Sequence, residues 1–208
     1  LNATTITIGN VLRADIRGFV VASRIPEPEV PTFGAFVHAD IQQEQAQLVG
    51  LVYDIRLLDD PFLRGIAAMV SEDQPGYAEM IADQREVRMV PVEISVASVA
   101  YRNAGGCHYG FPPQPPMILH RIRLCDDAGI AEITARPDFM RTLLQSPNIP
   151  ADELIAVALN RAASLRPAGE REDYLLTSAR YLARYLAGDP MRLETILRRL
   201  AEIAGRPA

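Results

Sequence analysis

The chain has 208 residues, 49% of them hydrophobic and 23% charged, which is the balance of a folded globular protein and not of a disordered tail. Its 26 carboxylates outnumber its 21 cations, so the net charge of −5 argues against a globally basic nucleic-acid binder and leaves open only a local basic patch. Every cation is an arginine, and the absence of lysine excludes both a Schiff-base lysine and the lysine-bearing phosphate loop of the commonest ATPases.

The first part of the chain reads as short strands. Thr5–Val11 is a β-branched run that should turn at Gly9-Asn10, and Arg17–Ala22 is a second run. Pro26, Pro28 and Pro31 then interrupt any ladder, so residues 26–32 should form a loop or a sheet edge. Phe33–Ala39 and Leu48–Ile55 are further strands, with a polar and exposed connection over Gln42–Gln47. Asp59-Asp60-Pro61 is a helix start, a capping carboxylate followed by proline at the first helical position, and Phe62, Leu63, Ile66, Met69 and Val70 supply an apolar face. Gln74-Pro75-Gly76 breaks that helix, and a second runs from Tyr77 to about Arg85.

Strand texture returns over Val87–Tyr101, where Val90, Val92, Ile94 and Val96 alternate with Pro91, Glu93 and Ser95 as a half-buried strand requires. Asn103–Gly106 turns the chain, Phe111–Pro116 is an extended proline-rich connector, and Met117–Leu124 is the last strand. Beyond Arg136-Pro137-Asp138 the period becomes helical. Phe139–Leu144 is short, and a longer helix starts at Asn148–Asp152 with Leu154, Ile155, Ala158, Leu159 and Ala162 on one face. Glu170–Ala187 is closed by Gly188, and Asp189-Pro190 opens a final helix striped by Leu193, Ile196, Leu197, Leu200 and Ile203, with Gly205 as its stop. Strands first and helices after predict an α+β chain: a small β-barrel with inserted helices over residues 1–136, then an all-α helical module over 137–208. The front segment holds 11 arginines against 17 carboxylates and the back 10 against 9, so the charge changes sign near Arg136.

The two cysteines, Cys107 and Cys125, are too few for a disulfide scaffold. No stretch approaches the roughly 20 apolar residues of a membrane span. Leu1–Thr5 lacks the basic and apolar regions of a signal peptide. A cytoplasmic protein without membrane insertion is the expectation.

Three segments of the front half resemble the HAS barrel, the small β-barrel shared by HerA-type DNA-translocating ATPases and ATP-synthase catalytic subunits. Ile8-Gly9-Asn10-Val11 is similar to its opening strand. Phe33–Val37 followed by Leu48–Ile55 is similar to its glycine-bearing strand pair, Gly34 and Gly50 permitting the bends and close backbone approach of a small barrel. Val92–Tyr101 and Pro112–Leu119 are similar to its last strands. The likeness covers roughly residues 1–125. In those ATPases a nucleotide-binding domain follows the barrel, whereas here helices without a phosphate loop follow. The resemblance therefore implies no ATP hydrolysis, but a barrel for oligomerisation or for docking to a partner such as a HerA-type ATPase.

Candidate chemistry is sparse, and no cofactor is expected. Cys107, His108, His120 and Cys125 form the only Cys/His grouping, but adjacent Cys-His is not the usual zinc spacing, and on a regular strand His120 and Cys125 face opposite ways. Cys107 with His108 lacks an orienting acid, as a nucleophile would require. The acidic pairs Asp59-Asp60, Asp126-Asp127 and Glu172-Asp173 read as helix caps before they read as catalytic dyads. His38 reads as a core or surface residue on its strand, and a hydrolase or metalloenzyme built on His38, Cys107, His108 and His120 is the minor reading. Arg180, Arg184, Arg192, Arg198, Arg199 and Arg206 are the best nucleic-acid candidates, although Glu170, Glu172, Asp173, Glu194 and Glu202 interleave with them as partners on a solvated face. Tyr174, Tyr181 and Tyr185 could stack bases but have the spacing of helix-packing residues. The leading expectation is a non-enzymatic assembly or accessory protein, with nucleic-acid binding through the helical arginines as the alternative.

Overall fold

The computed structural model describes residues 6–24, 31–58 and 91–203. Six antiparallel strands close into a barrel: β1 (Thr7–Asp15), β2 (Gly18–Arg24), β3 (Phe36–Ile41), β4 (Ala46–Leu57), β5 (Pro91–Asn103) and β7 (Arg121–Leu124). The order around the ring is β2-β1-β7-β3-β4-β5, and β5 closes it by pairing with β2 from Gly18↔Ala97 to Arg24↔Pro91. The short β6 (Gly106–Tyr109) hangs on the far end of β5 as a hairpin. Five helices follow: α1 (Asp127–Ile133), α2 (Met140–Leu144), α3 (Ala151–Ser164), α4 (Ala168–Tyr185) and α5 (Pro190–Ile203), with a 3-10 turn over Pro137–Phe139. This is the α+β barrel-then-helices architecture read from the sequence. The two expected inserted helices, residues 26–30 of the expected loop or edge over 26–32, Val87–Val90 and the stop expected at Gly205 lie outside the described residues.

Strand alternation fills the barrel. Val37, Ala39 and Ile41 of β3, Ala46, Leu48 and Val52 of β4, Val92, Ile94 and Val96 of β5, and Ile122 of β7 point inward, joined by Ile8, Val11, Phe19 and Val21. The outward row of β3–β5 is apolar too. Phe36, Val49, Leu51, Ala97 and Val99 meet Ile130, Ile133, Phe139, Met140, Leu143 and the buried face of α3 in a second core, completed by Leu182, Ile196 and Leu200. The middle of β5 is therefore buried on both faces rather than half-buried, because the helices cover its outer row. The charge change at Arg136 falls between α1 and α2, and residues on both sides of it share this core.

Two local expectations are corrected. The chain does not turn at Gly9-Asn10; Gly9 takes φ +149° at a bulge in the β1–β7 ladder, and the strand continues to Asp15. The turn comes at Ile16-Arg17, where the Asp15 carboxylate accepts the Arg17 and Gly18 amides at 2.6 and 3.1 Å. The last strand begins at Arg121, since Met117–Leu119 form a turn closed by His120 N–H donating to the Met117 carbonyl at 3.1 Å. The capping role read for Asp126-Asp127 opens α1, where Asp126 accepts the Gly129 amide at 2.8 Å. Gly34 serves helix packing: at φ +79° it presses against α3, where a Cβ would overlap the Val157 side chain. Gly50 sits at a β4 bulge, where a Cβ would lie 2.8 Å from the Ala97 carbonyl oxygen.

Candidate functional site

The Cys/His grouping is divided among separate local settings. Cys107 packs beside Tyr109 on the helix-side core, and burial raises its thiol pKa. His108 turns the other way, stacking on Tyr101 with ring centroids 4.9 Å apart and donating from Nε2 to Asn103 Oδ1 at 3.1 Å. His120 Nδ1 donates to the Asp40 carbonyl oxygen at 3.2 Å. Cys125 is half-buried next to α1, its N–H donating to the Phe36 carbonyl, and burial pushes its thiol up to about 12. A thiol so raised is protonated at neutral pH and is no ready nucleophile. Among the described residues no group of three or more His, Cys, Asp or Glu is placed to hold one metal ion.

His38 lies on the outer face of β3 at the margin of the helical cover. It is 9% exposed, and its Nδ1 is buried without a partner. Burial lowers its pKa, with Arg102 and Arg123 acting in the same sense and Asp40 and Asp126 opposing. A relay of side chains runs past it. Arg123 Nη1 donates to Asp40 Oδ2 at 3.0 Å and Gln47 Nε2 to Asp40 Oδ1 at 2.9 Å. Arg102 Nε donates to Gln47 Oε1 at 2.8 Å, and its Nη1 to Glu132 Oε2 at 2.9 Å. The relay ties β3, β4, β5, β7 and α1 together. Both of its carboxylates are engaged by arginine, so it reads as a staple between barrel and helix.

The arginine set does not act as one face. Arg192 Nε pairs with Asp152 at 2.8 Å and Arg199 Nε with Glu153 at 2.6 Å, both across to the first turn of α3, and Arg199 also reaches Glu202. These two hold α5 onto α3. Arg180 and Arg184 on α4 and Arg198 on α5 are exposed, and Arg206 lies outside the described residues. Of the tyrosines, Tyr174 carries the Arg166 guanidinium 3.5 Å from its ring centroid and packs on the core, while Tyr181 stacks on Tyr185 at 6.3 Å. Asp126 acts as the α1 cap, Asp127 pairs with Arg161 at 2.6 Å, and Glu172 and Asp173 are exposed on α4.

Two surface features went unmarked in the sequence. One is a groove of about 730 Å³ where the β1–β2 hairpin, β4 and β5 meet Phe111 and the α2–α3 loop over 145–149. The other is the turn Met117-Ile118-Leu119, whose side chains are 68%, 64% and 76% exposed. Leu119 adopts φ +69°, a left-handed conformation that costs a non-glycine residue roughly 1–2 kcal/mol. Its N–H nevertheless donates to the Val11 carbonyl at 2.8 Å, so the turn is pinned against β1 beside the exposed Leu12. The sequence signal was the proline run before 117, which leaves no ladder partner for the residues it delivers. The groove joins segments some 130 residues apart in the chain, and no local pattern announces it.

The family model described as Domain of unknown function (DUF8166) matches residues 15–165, most of the barrel together with α1, α2 and α3. The chain belongs to this family. Its matched segment runs across Arg136 without interruption and ends just beyond α3. It thus contains all of the barrel strands but β1, together with α3, which packs against them. A search of the curated proteins found no match. Among the described residues no helix is long and apolar enough to cross a membrane.

Proposed function

We propose that this protein is a non-enzymatic assembly factor whose HAS-barrel-like domain docks onto a protein surface, either a further copy of the chain or a HerA-type DNA-translocating ATPase. The observation that carries this reading is the turn Met117-Ile118-Leu119, three consecutive large apolar side chains held in water on a pinned and strained backbone. Exposed apolar clusters of this kind are characteristic of protein contacts. Among the described residues the alternative, nucleic-acid binding through α4 and α5, retains Arg180, Arg184 and Arg198, because Arg192 and Arg199 are committed to Asp152 and Glu153.

Light scattering after gel filtration over a range of concentrations tests the proposal, with and without a HerA-type ATPase from the same source. Self-association or co-elution is the expected outcome, and it should vanish in the double variant Met117→Ser/Ile118→Asp while the thermal melt stays unchanged. A wild-type monomer at all concentrations that leaves the ATPase profile untouched would sink the idea. A DNA titration alongside should show no affinity that falls steeply with salt.

A further inference from the structure

We infer that the groove between the barrel and the helical module is a binding site for a small amphiphilic anion, a single phosphate or carboxylate attached to an apolar body. Its volume of about 730 Å³ lies in the range of small-molecule sites. It is assembled from both parts of the molecule. Its lining comes from the β1–β2 hairpin, including Arg13 and Arg17, from β4 and β5 at Tyr53 and Ala97, and from Phe111 and the loop Gln145–Ile149.

The polar groups of the groove are not equivalent. Arg13 is engaged, since both its terminal nitrogens donate to Glu93 at 3.2 and 3.3 Å. The Asp15 carboxylate is turned into the hairpin, with Oδ1 accepting two backbone amides. Ser146 donates to the Thr142 carbonyl at 2.8 Å. The Arg17 guanidinium, in contrast, is exposed and makes no side-chain hydrogen bond or ion pair among the described residues, while its backbone is fixed by the Asp15 turn and by Ser98 N–H donating to its carbonyl at 2.8 Å. An exposed guanidinium on a fixed backbone is a ready partner for an oxyanion. Gln145 and Asn148 stand exposed on the facing loop and add amide donors.

The rest of the lining favours carbon. Phe111 is 40% exposed, and Tyr53, Pro147 and Ile149 are also in the lining. An inorganic anion would leave this surface wet, whereas an aryl or alkyl body covers it and supplies the larger part of the binding free energy. One anionic head on Arg17 and an apolar body toward Phe111 match the distribution of groups.

The inference is independent of the docking surface at Met117–Leu119. Its test is a titration of the full chain with phenyl phosphate, octanoate and inorganic phosphate, read by calorimetry and by the amide NMR shifts of Gly18, Ser146 and Asn148. Saturable binding of phenyl phosphate, octanoate or both is expected, with the groove amides shifting and inorganic phosphate much weaker; the two organic probes distinguish a ring from a chain. Arg17→Gln should weaken binding ~10-fold or more, Phe111→Ala should also weaken it, and Met117→Ser/Ile118→Asp should leave it unchanged. No saturable shift with either organic probe at millimolar concentration would overturn the proposal. So would inorganic phosphate binding as tightly as phenyl phosphate, or Arg17→Gln binding like wild type.

Discussion

His38 illustrates how burial alone gives one residue a pH dependence. Burial lowers the pKa of its ring in the folded protein by disfavouring the charged form, whereas in the unfolded chain it titrates near the ordinary value of 6.5. Below 6.5 the unfolded state therefore binds more protons than the folded one, so this residue's contribution to stability is fully present above 6.5 and is lost as pH falls toward the lowered folded pKa. Urea midpoints should fall on acidification through that window, and His38→Leu should flatten the decline by removing both the titration and the unpartnered Nδ1. Equal slopes in the variant and the wild type would show that the acid sensitivity arises elsewhere. The strand pattern placed His38 on the barrel wall, but it could not show that Arg102, Asp126 and Arg123 would surround it, since these come from β5, the start of α1 and β7.

At the scale of elements, α5 depends on two kinds of contact. Ile196 and Leu200 bury its apolar stripe, while Arg192 and Arg199 pair with Asp152 and Glu153 at the N-terminal turn of α3. The Arg192–Asp152 pair is only partly sheltered and is worth about 1 kcal/mol or less, and both pairs weaken with salt. Burial of a large aliphatic side chain is worth more. Ile196→Ala should cost about 2–4 kcal/mol in chemical denaturation, and Arg192→Met under 1 kcal/mol, the latter difference shrinking at high salt. A larger loss for Arg192→Met than for Ile196→Ala would reverse this ranking. The apolar stripe of α5 and its Asp189 cap were legible from spacing and from Asp-Pro; the Arg192 amide does donate to Asp189 Oδ1 at 3.1 Å. The cross-helix partners of the arginines were not, because interleaved acids on the same helix explained them equally well until the packing of α5 on α3 was known.

For the molecule as a whole, the decisive feature is that the helices cover one side of the barrel. The outer row of β3, β4 and β5 faces α2 and α3 through Phe36, Val49, Leu51 and Val99, and that core continues to α5. A chain ending at Arg136 would expose this row to water. We expect such a truncation to be poorly soluble, to bind hydrophobic dyes and to melt well below the full chain, as far-UV circular dichroism would record. A soluble fragment with the full chain's melting temperature would mean that the barrel needs no cover. Among the described residues Leu12 and the Met117–Leu119 turn stand exposed, and the docking reading puts a partner there.

Period and punctuation settled much of this architecture before any coordinates. Alternation marked Val92, Ile94 and Val96 as one face of a strand, and 3.6-residue spacing marked Leu154, Ile155, Ala158 and Leu159 as the buried face of α3, because both patterns follow from backbone geometry alone. Ring closure through β2 and β5, the relay past His38, the burial of both faces of β5 and the groove at Arg17 depended on pairings between residues distant in sequence. Those pairings are chosen by how whole surfaces fit together, and a neighbour-by-neighbour pattern carries no record of them.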